Sequence, residues 1–184
     1  MERVTARDMQ RAFPNASALD EADLQALIDV CTPVHLLDNS LIFDTGDRSD
    51  AFFLVISGRV RVERMLEDGE RLALGLLARG HIVGDMGVLT GQPRSASAVV
   101  DVELRALRLH AATYDDLRHE GHPAALWLLA EINERMSERV ADMYSRIAQG
   151  RERPELIDQL PSVEPAPSSV VERAVTWLKE RGWS

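Results

Sequence analysis

Cysteine is almost missing. Cys31 is the one thiol among 184 residues, which excludes a disulfide within the chain, a thiolate zinc site and a four-cysteine iron–sulfur cluster. Its neighbours, Ile28, Val30 and Val34 among them, are apolar, the setting of an inert core thiol. Lysine is as scarce: Lys179 stands alone among 21 basic residues, a bias associated with bacterial genomes rich in G and C. No run approaches the ~18 consecutive apolar residues of a membrane helix. The first ten residues lack the basic-then-apolar layout of a signal peptide, so a cytoplasmic protein with no direct membrane insertion is expected. Positive charge is in deficit too, with 21 basic against 30 acidic side chains and a net charge of -9, which repels polyanions and argues against DNA as a partner. What remains is ordinary globular usage, 45% hydrophobic and 28% charged, sized for one domain with a modest appendage.

Glycines punctuate the middle of the chain at Gly46, Gly58, Gly69, Gly80 and Gly91, with Val, Leu, Ile and Phe crowding the stretches between them. Turn signals at this spacing predict a sandwich or barrel of short strands. Arg59 to Arg64 alternate strictly, and Asp68-Gly69 suits a tight hairpin before the apolar run resumes at Arg71. The β-rich body is placed at about residues 40–110. On either side the period changes. Leu24, Leu27, Ile28 and Cys31 form a helical stripe behind an acidic first turn, Thr113–Leu117 reads as a short helix, and Pro123 opens a long one that runs to about Gln149.

That long helix, 123–149, carries Leu126, Leu129, Asn133, Met136, Val140, Met143 and Ile147, an alternation of three- and four-residue steps that makes an a/d heptad seam with Asn133 at an a position. Such a seam joins two parallel copies in a homodimer; packing on the chain's own barrel is the other arrangement open to it. Residues 1–19 form an N-terminal extension. Four of the eight prolines fall in 150–167, a linker. Ser169 to Glu172 then form a capping box before an amphipathic helix in 168–184, too short to fold alone and therefore in need of its own domain or an unknown protein partner, or else a loose tail.

The richest segment is 81–100. Gly84 and Gly87 permit close backbone approach, Asp85-Met86-Gly87-Val88-Leu89 suits one short helical turn with its N–H groups aimed at an anion, and Arg94 follows within reach. Together they make a phosphate cradle, although the same residues also read as turn glycines with an arginine at a loop end. His119 and His122 bracket Glu120-Gly121 without a third ligand, and no metal, cofactor or catalytic constellation is expected.

Residues 81–100 resemble the phosphate-binding cassette of the cyclic nucleotide-binding domain family, the catabolite activator and protein kinase A regulatory-subunit type. The likeness extends over roughly 20–149 and takes in Leu41 to Asp85, where the family's strand, glycine–aspartate turn, "SG" hairpin and "DG" hairpin follow in order. It implies a mainly β fold with flanking helices, a jelly-roll-like β-roll followed by a long C-terminal helix, in a stand-alone bacterial member without a DNA-binding domain. It implies that Arg94 binds the cyclic phosphate, that Ser95 and Ala96 add donors, and that Gly84, Met86 and Gly87 line the site. Asp85 holds the place of a family glutamate that takes the ribose hydroxyl, one methylene (about 1.5 Å) shorter. Asn39 replaces a frequent glycine, tolerable in a left-handed turn. Arg139 falls where the activator contacts the base, either stacking on a purine or simply solvated. The function so implied is that of a non-enzymatic sensor, binding cyclic AMP or cyclic GMP and signalling to a partner. A degenerate scaffold or docking module that binds no nucleotide is the alternative.

Overall fold

The computed structural model describes residues 3–66 and 69–148. The proline linker expected at 150–167 and the terminal helix expected at 168–184 lie outside these residues. The chain divides into Met1–Ser137 and Glu138–Ser184, and each is described by itself.

The first unit begins with helices. Thr5 caps α1 (Ala6–Ala12) in a reciprocal box with Asp8, a 3-10 turn follows at Pro14–Ala18, and Asp20 caps α2 (Glu21–Val30) through the amide of Asp23. Six strands come next: β1 (Thr32–Leu36), β2 (Leu41–Phe43), β3 (Ala51–Met65), β4 (Arg71–Ala78), β5 (Ile82–Val83) and β6 (Ser97–His110), with the short helix α3 (Asp85–Thr90) before β6. All pairings are antiparallel, in the order β1-β6-β3-β4, while β2 also pairs with β6 and β5 with β3. Then α4 (Ala111–His119) leads to α5 (Pro123–Ala148), the expected long helix.

The apolar run 51–56 reflects burial of both faces of β3, since alternate residues point to opposite sides of a strand. Phe52, Leu54 and Ile56 join Met9, Phe13, Leu24, Leu27 and Leu128 in a core beneath the helices. Ala51, Phe53 and Val55 join Val60, Leu77, Val83, Ala98, Val100 and Leu104 inside the roll. Each fully buried Phe or Leu contributes about 1.5–3 kcal/mol. The N-terminal residues expected as an extension are therefore part of this core: Met9 and Phe13 are fully buried, and Phe13 meets Trp127 edge-on at 5.8 Å.

The structure corrects two readings. Ser57-Gly58 is not a hairpin, because β3 runs straight through it; the β3–β6 register shifts on either side of it, and Gly58 sits at φ +95 where an added Cβ would lie 2.1 Å from the Glu103 carbonyl. A bulge, not a turn, bends the strand here. The sheet also starts at Thr32, ahead of residue 40. Pro33 lies within β1, which pairs on one side only, with β6, and an edge strand tolerates a missing donor. Asn39 does adopt the left-handed conformation, at φ 65.

Helix α5 carries two apolar stripes. Ala124, Leu128 and Ile132, four residues apart, pack into the helix-side core. Leu126 and Leu129 from the heptad seam are exposed, as is Asn133, while Met136 is half-buried against the same core. Farther along, Val140 and Met143 are exposed, and the side chain of Ile147 lies outside the described residues.

Candidate anion cradle

Arg94 is fixed by its own backbone before its side chain acts. Its N–H donates to the Asp47 carbonyl at 2.8 Å and its carbonyl accepts from Gly46 N–H at 2.8 Å, a two-bond clamp to the turn that follows β2. From there the side chain turns inward and is only 4% exposed. Nη1 donates to the Gly84 carbonyl at 2.7 Å, Nη2 donates to the Ala51 carbonyl at 2.8 Å, and the guanidinium carbon lies 4.1 Å from the centre of the Phe43 ring. Nε is buried and has no hydrogen-bond partner. The facing carboxylate is Asp50, with Oδ1 3.8 Å from Nη2 and about half of its side chain in water. Burial pushes the guanidinium down from its ordinary value, opposed by Asp50 and, more weakly, by Asp47 and Asp85. Arginine titrates so high that the group stays charged.

The two glycines of the segment serve this packing. Gly84 precedes α3 at φ +85, and a Cβ there would fall 2.3 Å from Arg94 Nη1; a Cβ on Gly87 would fall 2.0 Å from Ser49 Oγ, a buried hydroxyl with no partner. The close approach that the sequence signalled is thus made by side chains of this same chain. Asp85 opens α3 and is 3% exposed, Ala96 is buried, and Met86 and Ser95 are exposed. Of the residues read from the sequence, Gly84 touches the Arg94 guanidinium and Asp85 bears on it electrostatically, while Gly87 packs on Ser49. Arg139, in the second unit, is half-buried on α5.

Phe43, Ser49, Asp50 and Arg108 escaped the sequence reading. Asp50 follows the glycine–aspartate turn as one more acid among many, and Arg108 is one of two arginines in β6; only pairing along β3 and β6 sets them beside each other. Among the described residues no group of three or more His, Cys, Asp or Glu is placed to hold a metal ion.

Comparisons with known proteins agree with this geometry. The family profile of the cyclic nucleotide-binding domain matches residues 33–120. The cyclic AMP receptor protein of Thermus thermophilus is 46% identical over 68 residues, 36% of this chain and 32% of the relative. An NTE family protein of Mycobacterium bovis is 27% identical over 177 residues, 96% of this chain and 29% of the relative. The chain thus spans about a third of the length of these curated relatives. Among solved structures, a cyclic nucleotide-binding domain from Methylobacillus flagellatus superposes with a TM-score of 0.66 at 20% identity, covering 72% of this chain and 74% of that one. The catabolite activator protein of Thermus thermophilus gives 0.61 at 29% identity, covering 74% and 63%. Residues 33–120, with the strands of the roll, the glycine-opened α3 and the buried Arg94 behind it, thus match the cyclic nucleotide-binding domain family.

Proposed function

We propose that this chain senses a cyclic nucleotide, cyclic AMP or cyclic GMP, whose phosphate is anchored on Arg94. The observation that carries this reading is the guanidinium itself: buried, charged, with Nε unpartnered and the facing carboxylate 3.8 Å away. An undercompensated buried cation is costly, and an anion that reaches it recovers part of that cost through charge-assisted hydrogen bonds. Asp85 is the acceptor for a ribose hydroxyl, and the backbone of Gly84, Gly87, Ser95 and Ala96 completes the cradle.

The domain is regulatory rather than catalytic in this reading. Occupancy passes along α5 of a homodimer joined at the exposed seam, with residues 168–184 offered to a protein partner. The mycobacterial relative, matched along 96% of the chain but far longer, supports a partner that is itself a further domain or subunit. One observation favours the alternative of a docking module without ligand: both terminal nitrogens of Arg94 already have carbonyl acceptors.

A calorimetric titration and a thermal melt with each nucleotide decide between them. Micromolar affinity is about -8.2 kcal/mol, and ligand at 100 times Kd stabilises the fold by ~2.7 kcal/mol, a clear shift in Tm. No shift with either nucleotide at millimolar concentration favours the docking module.

A further inference from the structure

Strand β4 is the outer strand of the β3–β4 hairpin. It pairs with β3 alone, and no other strand among the described residues lies along its second edge. Its composition is unusual for such a place: Leu72 to Leu77 carry neither charge nor proline, and Arg71 is the one charged residue of the strand. Leu72, Leu74 and Leu76 are 46%, 44% and 53% exposed, and around Gly75 nothing lies within 4 Å of the place a Cβ would take. A free edge presents unpaired N–H and C=O groups that can template another strand, and chains guard such edges with charge, proline or a bulge. Here the bulge is the device present. Leu74 is passed over where Ala73 pairs with Glu63 and Gly75 with Val62.

We propose that β4 is a self-recognition edge, which pairs antiparallel with β4 of a second copy about a two-fold axis between Leu74 and Gly75. The bulge selects this register. In an unbroken strand neighbouring residues point to opposite faces, so residues 74 and 75 could not stand across such an axis from each other. With one residue inserted, Leu72 shares a face with Arg64 and Leu77 with Val60, which is the same face of β3, while Ala73 and Leu76 share the other with Glu63 and Arg61. Leu72 of one copy then sits beside Leu77 of the other and Ala73 beside Leu76, apolar on apolar with both faces matched. Just past these residues, Glu70 of each copy stands opposite Arg79 of the other, and both side chains are exposed. Opposite charges facing each other across an antiparallel pair favour it, and the two-fold makes the contact twice. That charge match is why the occupant is a second copy of this chain. The inference goes beyond the cyclic nucleotide reading and uses no residue of the cradle.

So short an edge buries little area, at the low end of specific interfaces, so pairing is expected only between about 0.1 and 1 mM, above the concentrations at which the α5 seam is read. The test is sedimentation velocity of the wild-type chain and of Val140→Glu from about 20 μM to about 1 mM, with hydrogen exchange of the β4 amides at both ends of the range. Mass should rise with concentration in both proteins, doubling in Val140→Glu, and β4 amides should exchange more slowly in the concentrated samples. Leu74→Lys, which sets a cation beside the axis in each copy, should weaken the association tenfold or more. Glu70→Arg and Arg79→Glu should each weaken it alone, and the two together should restore it. These positions are exposed, and a melt of each variant verifies its fold; should Leu74→Lys not fold, Leu76→Lys and the charge exchange read the same edge. A rise confined to the wild type belongs to the seam and overturns the proposal. Constant mass up to 1 mM in both proteins, association unchanged by the lysine variants, or a double exchange no better than either single change overturns it as well.

Discussion

Gly84 and Arg94 are built against each other. Arg94 Nη1 lies 2.3 Å from where a Cβ on Gly84 would stand and donates to the carbonyl of that same glycine at 2.7 Å. The glycine also holds φ +85, a conformation that other residues reach at a cost of about 1–3 kcal/mol. Gly84→Ala should therefore lower the Tm and displace the guanidinium together. A melt in the absence and presence of cyclic nucleotide checks both, and an alanine variant with wild-type stability and wild-type ligand shift would contradict the contact.

Arg94→Ala should abolish most nucleotide binding, because losing one partner of a buried charge-assisted pair costs ~2–5 kcal/mol, roughly thirtyfold in affinity or more. Arg94→Lys keeps the charge but cannot serve the Gly84 and Ala51 carbonyls and an anion from one planar fork, so it should also bind weakly. Titration calorimetry of the two variants reads this, and wild-type affinity in Arg94→Lys would show that only net charge matters.

Acid stability should depend on Glu63. Its side chain is nearly buried between Arg61, whose Nε donates to it at 3.0 Å, and Arg71, and these bonds hold its carboxyl below the ordinary 4.5. A carboxylate depressed in the folded state stabilises the protein above its unfolded pKa, and that contribution is lost as pH falls through the folded value. Asp44, bonded by Ser97, and Asp8, bonded by Thr5, act in the same sense. Tm measured from neutral pH downward should fall below about pH 4.5, and Glu63→Gln should be less stable at neutral pH with a shallower acid limb. Parallel curves for the two proteins would remove Glu63 from the account.

Cys31 should resist alkylation in the folded protein. Burial pushes its thiol up to about 12, so almost no thiolate exists near neutral pH, and the sulfur has little access to reagent. Modification by iodoacetamide should follow the unfolding rate and become rapid in denaturant. Fast labelling under native conditions would place Cys31 outside the core.

Dimerisation is expected along α5, where Leu126, Leu129, Val140 and Met143 are between 43% and 48% exposed while Leu128 and Ile132 are consumed by the core. In a parallel pair Val140→Glu places two carboxylates across the axis, an arrangement that costs far more than it returns. Light scattering at tens of micromolar should report a dimer for the wild type and a monomer for Val140→Glu and Leu129→Glu. A monomeric wild type, or a dimer unaffected by both changes, would defeat the seam.

Local signals made much of this protein legible in its sequence. The stripe at Leu24, Leu27 and Ile28, the uninterrupted stretch after Pro123, the turn glycines and the Gly84–Arg94 spacing each act within a few residues, where period and backbone freedom decide the outcome. Only the tertiary structure decided the rest. Strand β1 ahead of residue 40 exists because β6 supplies Pro33 with an edge to occupy, and Gly58 reads as a turn until the Glu103 carbonyl arrives at the spot a side chain would fill. The N-terminal helices belong to the core because Phe13 finds Trp127, a residue more than a hundred positions away. The cradle follows the same division: the sequence names Arg94, but its charge is undercompensated because Asp50 is drawn toward Arg108, and that partition of one carboxylate between two guanidiniums exists only where β3 and β6 lie side by side.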